Sequence, residues 1–213
     1  MSVDRIGRHD AADSFLVALA QLACDLALPN EDAGTEPFFA PEREIAWVRR
    51  LYEKAVAGFY DVVLTQPPYS WNVRAGQPLK WPVEAQTDGL SEILPSMVTD
   101  IVLDHPSLGR RVIVDTKFNA ILTRGWYRDE TLRSGYLYQI YAYIRSQCGR
   151  GDMRADHAEG LLLHPSVGEA LDEAVIMQGH LIRFSTVDLA TPATCVRQRL
   201  IHLVTMHPSW MTH

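Results

Sequence analysis

Apolar residues recur at helical spacing over residues 41–63, where Ile45, Val48, Tyr52, Ala55, Val56, Phe59 and Val63 fall on one stripe and Pro41 is placed to open the helix. Before it, the Ala/Leu-rich SFLVALAQLACDLAL (residues 14–28) predicts another helix with Asp13 as its cap, and LPNEDAGTEPFFAPE reads as loop. Beyond QPPYS the period shortens. SWNVRA and PLKWPVEA read as two short strands, with Pro82 marking an edge or a break. MVTDIVL and RRVIVDTKF are clearer strands, and the short DHPSLG between them predicts an antiparallel hairpin. Val112, Ile113 and Val114 are consecutive and apolar, as in a strand covered on both faces near the middle of a sheet.

After the linker GWYRDE, TLRSGYLYQIYAYIRSQ predicts a helix despite Gly135. AEGLLLHP reads as a buried strand, EAVIM and HLIRFSTV as a second hairpin about Gln178-Gly179, and CVRQRLIHLVTM as a closing helix. This order predicts an α/β chain, a mixed sheet with helices on its faces. The expected organisation is a helix and loop over residues 1–40, a core over 41–190, and a C-terminal helix over 191–213 packed on that core.

A chain of 213 residues supports one domain of ordinary size. No apolar run approaches the about 20 residues of a membrane span, and MSVDRIGRHD lacks the apolar core of a signal peptide, so a cytoplasmic protein is expected. Cys24, Cys148 and Cys195 form no CxxC pair and read as reduced thiols. The eight histidines show no close ligand spacing and read as surface or satisfied core residues. The net charge of −6 argues against a nucleic-acid partner, but it conceals an asymmetry. Residues 108–155 hold nine Lys/Arg against four Asp/Glu, a local excess of +5 that leaves −11 for the rest. Without a G-x-x-x-x-G-K-[ST] motif, nucleotide hydrolysis would belong to a partner.

That basic segment contains VIVDTKFN, in which strand alternation projects Asp115 and Lys117 to one side. Taken alone, D-x-K is well read as an ion pair at a strand end. Asp100, however, interrupts the apolar strand that the hairpin makes a neighbour. Two carboxylates converging from adjacent strands suit a hard divalent cation such as Mg²⁺. In the next helix Gln139 and Tyr143 lie four residues apart and share a face. Tyr136, Tyr138 and Tyr141 read as amphipathic core residues with their hydroxyls at the surface.

An acid (Asp100), then D-T-K (Asp115, Thr116, Lys117), then Q-x-x-x-Y (Gln139, Tyr143) resembles the PD-(D/E)xK nuclease superfamily in its RecB-like branch. Thr99 stands where a proline usually precedes the first acid. PSMVTDIVL, RRVIVDTKFN and YLYQIYAYI resemble more narrowly the nuclease domain of the McrC family, the cleaving subunit of the McrBC modified-DNA restriction system, and Glu53 matches its helical glutamate. The resemblance implies a restriction-endonuclease-like core and a Mg²⁺-dependent DNA endonuclease acting as the cleavage subunit of a McrBC-like system, with Mn²⁺ able to substitute. Asp100, Asp115, the backbone carbonyl of Thr116 and Glu53 would hold the metal. Lys117 would orient the attacking water or stabilise the transition state, and Gln139 and Tyr143 would position the phosphate or buttress Lys117. Cleavage would leave 5′-phosphate and 3′-hydroxyl ends. Arg124, Arg128 and Arg133 are candidates for DNA-backbone contacts, and read equally as a solubilising loop. The implied partners are DNA and a McrB-like AAA+ GTPase, although the region by which McrC proteins dock on that GTPase is expected to be largely absent here. Two other roles fit the same motifs: a non-catalytic assembly or GTPase-stimulating subunit, and a stand-alone RecB-like exonuclease.

Overall fold

The computed structural model describes residues 42–123, 130–168 and 170–208. The helix expected over residues 14–28, and with it the N-terminal unit over 1–40, lies outside the described residues. The chain runs α1 (Glu42–Leu64), β1 (Asn72–Leu79), α2 (Leu90–Ile93), β2 (Met97–His105), β3 (Arg110–Thr116), β4 (Leu122–Thr123) and β5 (Thr131–Leu132). It continues through α3 (Ser134–Arg145), α4 (Met153–Asp156), β6 (Glu159–Ser166), β7 (Asp172–Met177), β8 (His180–Asp188) and α5 (Ala193–Thr205).

Six strands form one mixed sheet in the order β1-β2-β3-β6-β8-β7. The expected hairpins are present: β2 pairs with β3, and β7 with β8, both antiparallel. Gly109 closes the first of them at φ 62, a left-handed conformation that costs glycine little. β3 and β8 flank β6 in parallel, which explains the consecutive apolar residues 112–114 in β3 and 161–163 in β6: both faces are covered. The two-stranded β4-β5 pair flanks the linker GWYRDE, and β5 takes Thr131 and Leu132 from the start of the expected helix, so that α3 begins at Ser134.

One expected strand does not form. SWNVRA and the start of PLKWPVEA merge into the single edge strand β1, whose ladder with β2 ends at Leu79 opposite Met97. Pro78 is tolerated because β1 is an edge strand, and Pro82 has no N–H with which to extend the ladder. The segment is instead tied down by Trp81, whose indole N–H donates to the carbonyl of Pro95 at 2.6 Å.

The sheet is buried on both sides. On one face Tyr52, Val56 and Phe59 of α1 and Val196, Leu200 and Leu203 of α5 pack on Leu103, Val112, Val114, Leu161 and Leu163. On the other face Ile140, Tyr143 and Ile144 of α3 pack on Ile113, Leu162 and Ile182. α5 is also held by the buried Arg183, which donates to the carbonyls of Leu203 and Met206, each at 2.9 Å, and forks onto Asp172 at 3.0 and 3.1 Å.

The height of α3 above the sheet is set at Gly160 in β6. A Cβ built there would meet Ile140 Cγ1 and Ile144 Cδ1, each at 3.0 Å. Gly160→Ala is therefore expected to cost about 1–3 kcal/mol by overpacking. Urea unfolding should show that loss, and the double variant Gly160→Ala/Ile144→Val should lose less than the sum of its parts because Cδ1 is gone. Additive losses would mean that the helix is not seated on this glycine.

Candidate functional site

The β2-β3 ladder carries Ile101 opposite Val114, so its next step faces Asp100 with Asp115. At this point a side chain takes over from the backbone. Asp100 Oδ2 accepts from the backbone N–H of Thr116 at 2.7 Å and from the Thr116 hydroxyl at 2.8 Å, which fixes one oxygen of the carboxylate. Alternation turns Asp115 toward the α3 layer with Ile113, and its side chain is 0% exposed. Lys117 Nζ lies 2.7 Å from Asp115 Oδ2 as an ion pair. Among the described residues neither Asp115 oxygen receives a well-directed hydrogen bond. Burial pushes the Asp115 carboxyl up to about 6; Lys117 opposes the shift, and the charges of Asp100 and Glu53 add to it.

Glu53 comes from α1, where the helical stripe leaves it half-buried beside the core. Its carboxyl is raised by burial and then by the charge of Asp100, with Lys117 and Lys54 acting in the opposite sense. From the other layer, Gln139 Nε2 donates to the Tyr143 hydroxyl at 2.6 Å. Burial raises the Tyr143 phenol; the bond from Gln139 lowers it, and it also feels the charges of Asp115, Lys117 and Asp100. The structure thus brings Glu53, Asp100, Asp115, Lys117, Gln139 and Tyr143 into one electrostatic neighbourhood. Their donors are oxygen-rich, as a hard divalent cation requires. Among the described residues no three His, Cys, Asp or Glu side chains are grouped to hold an ion. An ion placed here would rest mainly on Asp100 and Asp115 and keep much of its water, a coordination that Mg²⁺ accepts. The unsatisfied, fully buried oxygens of Asp115 fit that role.

The basic residues divide differently from their order in the chain. Arg124 and Arg128 lie outside the described residues. Arg133 precedes α3, and its charge contributes to holding His164 neutral. Several others are committed to ion pairs: Arg110 forks onto Glu159 at 2.9 and 2.8 Å, Arg111 bridges Asp104 and Asp152, and Arg154 also reaches Asp152. Much of the local positive excess is therefore neutralised within the fold.

Three further residues, Tyr136, Asn119 and His164, border the site, and the sequence did not assign them to it. Lys117 Nζ stands 5.1 Å from the centre of the Tyr136 ring, and Asn119 Nδ2 donates to the Tyr136 hydroxyl at 2.6 Å. His164 is buried, with Nδ1 3.0 Å from the Asn119 carbonyl, and burial lowers it to about 4. His164 is the satisfied core histidine that its apolar strand suggested. Asn119 lies two residues beyond Lys117, the one local signal of its place; the approach of Tyr136 depends on how α3 packs. Tyr138 is exposed and Tyr141 donates to Gln178 Oε1 at 2.7 Å, so these two keep their hydroxyls near the surface.

No helix among the described residues is long and apolar enough to cross a membrane.

The raised Asp115 carboxyl has a consequence for stability. Between its ordinary 3.8 and about 6 the folded state binds the proton that the unfolded state has lost, so this group favours folding at low pH and ceases to as pH rises through about 6. Without divalent metal, the unfolding free energy of the parent protein should fall relative to that of Asp115→Asn between about pH 5 and about pH 7. Urea unfolding across that interval measures the difference; one that stays constant with pH would contradict the assignment.

No family model matches this chain. It is similar to the type IV methyl-directed restriction enzyme EcoKMcrBC of Escherichia coli (strain K12), at 26% identity over 200 residues, which cover 92% of this chain and 54% of that protein. The chain thus spans about half the length of its curated relative, and the match supports a distant, McrBC-like relationship.

Proposed function

We propose that this chain is a metal-dependent DNA endonuclease of the PD-(D/E)xK type, the cleavage subunit of a McrBC-like restriction system working with a McrB-like GTPase. The observation that carries the reading is the carboxylate of Asp115: fully buried, opposite Asp100, and accompanied among the described residues only by Lys117. A structural acid in that position would be expected to acquire a complete set of donors. The similarity to EcoKMcrBC supports a role in restriction.

In this reading Asp100, Asp115 and the Thr116 carbonyl hold Mg²⁺ or Mn²⁺, with Glu53 acting directly or through water. Held by these residues, such an ion would supply Lewis acidity toward the attacking water and the scissile phosphate. Thr116 keeps the Asp100 carboxylate from rotating by engaging its Oδ2 with two donors. Lys117 presents its ammonium to the attacking water or to the developing negative charge of the pentavalent phosphorus. The Gln139–Tyr143 pair, hydrogen-bonded in advance, positions the phosphate or supports Lys117. Glu53 closes the site from the α1 side, its carboxyl raised by burial and by the charge of Asp100, where it would exchange a proton with water. Arg124, Arg128 and Arg133 would contact the DNA backbone.

Nicking of a supercoiled plasmid in Mg²⁺, with and without a McrB-like GTPase and GTP, tests the reading. Asp115→Ala and Lys117→Ala should each lower the cleavage rate by about 10²–10³-fold or more, and EDTA should abolish it. Cleavage that persists in both variants would overturn the site. Activity on linear ends but not on closed circles would make the enzyme an exonuclease.

A further inference from the structure

We infer that Tyr136 is a positioning residue for Lys117, its ring holding the ammonium over the site while Asn119 locks the ring in place. The inference rests on the proposed reading of Lys117 as the lysine of the reaction centre, and it adds a residue outside the D-T-K and Q-x-x-x-Y motifs.

Lysine is a flexible four-carbon arm carrying a compact charge, so a defined position for its nitrogen has to be imposed from outside. Two partners impose it here: Asp115 Oδ2 at 2.7 Å and the face of Tyr136 at 5.1 Å from the ring centre. The ring distance is within the range in which an aromatic quadrupole attracts a cation. The two partners are not equivalent. A divalent ion bound to Asp115 would compete with Lys117 for that carboxylate, whereas the ring has no lone pair to offer the metal and stays available to the lysine. Tyr136 would then carry the larger share of the positioning when the site is loaded.

The ring is itself immobilised. Its hydroxyl accepts from Asn119 Nδ2 at 2.6 Å, and its face lies 5.9 Å from the His164 ring at 46°. Asn119 is anchored in turn, its carbonyl 3.0 Å from His164 Nδ1. Lys117 meets the same strand through its backbone, its N–H donating to the Leu163 carbonyl at 3.0 Å. Both ends of the contact therefore hang on neighbouring residues of β6. Asn119 is 1% exposed and so holds its bond to the tyrosine out of competition with water.

Two measurements test this on the full chain with Tyr136→Leu, which removes the aromatic face, and Tyr136→Phe, which keeps it. The chain has three lysines, Lys54, Lys80 and Lys117, so the side-chain resonances of lysine labelled at Cε can be assigned with Lys117→Arg. In the metal-free protein the Lys117 methylene protons should carry an aromatic ring-current shift that Tyr136→Phe retains and Tyr136→Leu loses. In plasmid cleavage, Tyr136→Leu should lower kcat by about 10²-fold with the half-saturating DNA concentration unchanged, and Tyr136→Phe should restore most of the rate. Should Tyr136→Leu fail to fold, Tyr136→Met replaces it in both arms. An unchanged Lys117 resonance in the non-aromatic variant, or a Phe variant as impaired as the Leu one, overturns the inference. So does wild-type cleavage by Tyr136→Leu when Asp115→Ala and Lys117→Ala are inactive. If Lys117→Ala itself cleaves normally, it is the functional reading that fails, and the resonance arm still decides whether the ring holds the lysine.

Discussion

A carboxylate withdrawn from water must be compensated, and in this molecule Asp115 is compensated only in part. Removing such a group from solvent costs several kcal/mol unless charges and hydrogen bonds replace its hydration. The fold contains a useful contrast in Asp104, equally deep in the same sheet, which receives Arg111 through two bonds and Arg74 through a third. The more exposed Asp172 also collects Arg183, Arg199 and Ser185, and the Ser185 bond and two guanidinium partners hold its carboxyl below the usual range. Among the described residues Asp115 has a single lysine, and its carboxyl moves the other way. At Asp104, where a buried acid serves structure, the fold surrounds it with donors.

The architecture keeps that incomplete compensation in one place. β3 sits inside the sheet, so the end of the strand cannot turn Asp115 to solvent without breaking its pairing with β6 and the bonds from Thr116 to Asp100 on the β2 side. Thr116 clamps Asp100 next to it, and α3 covers both from above at a height set by Gly160. α1 contributes from the opposite layer, bringing Glu53 to the same charges. Four elements from two layers converge on one point, while the large arginine networks lie on Asp104 and Asp172. The separation lets structural ion pairs tighten the fold without filling the site.

How much of this could be read from the chain varied with the range of the interaction concerned. Helices α1, α3 and α5 and both hairpins followed from local period and short connections, because amphipathic spacing and turn length act within about ten residues. PLKWPVEA misled: its alternation suited a strand, yet a strand needs a partner with free donors, and Pro82 denies one. The basic run is divided by contacts that its order in the chain does not show. Counting charges from residue 108 to residue 155 suggested a surface for phosphate, but Arg110, Arg111 and Arg154 meet acids from β2, β6 and the start of α4.

By itself the sequence determined the mixed α/β class, the hairpin that faces Asp100 with Asp115, and the face shared by Gln139 and Tyr143, all consequences of backbone periodicity. Only the tertiary structure decided that Asp115 would be sealed from water with one cation beside it, and that Tyr136, rather than a neighbouring tyrosine of YLYQIYAYI, would meet Lys117. Those outcomes depend on how closely α3 approaches β6 and on the pairing of β3 with β6. They join Ile140 to Gly160, 20 positions apart, and Val112 to Glu159, 47 positions apart, through packing that leaves no local trace in the chain.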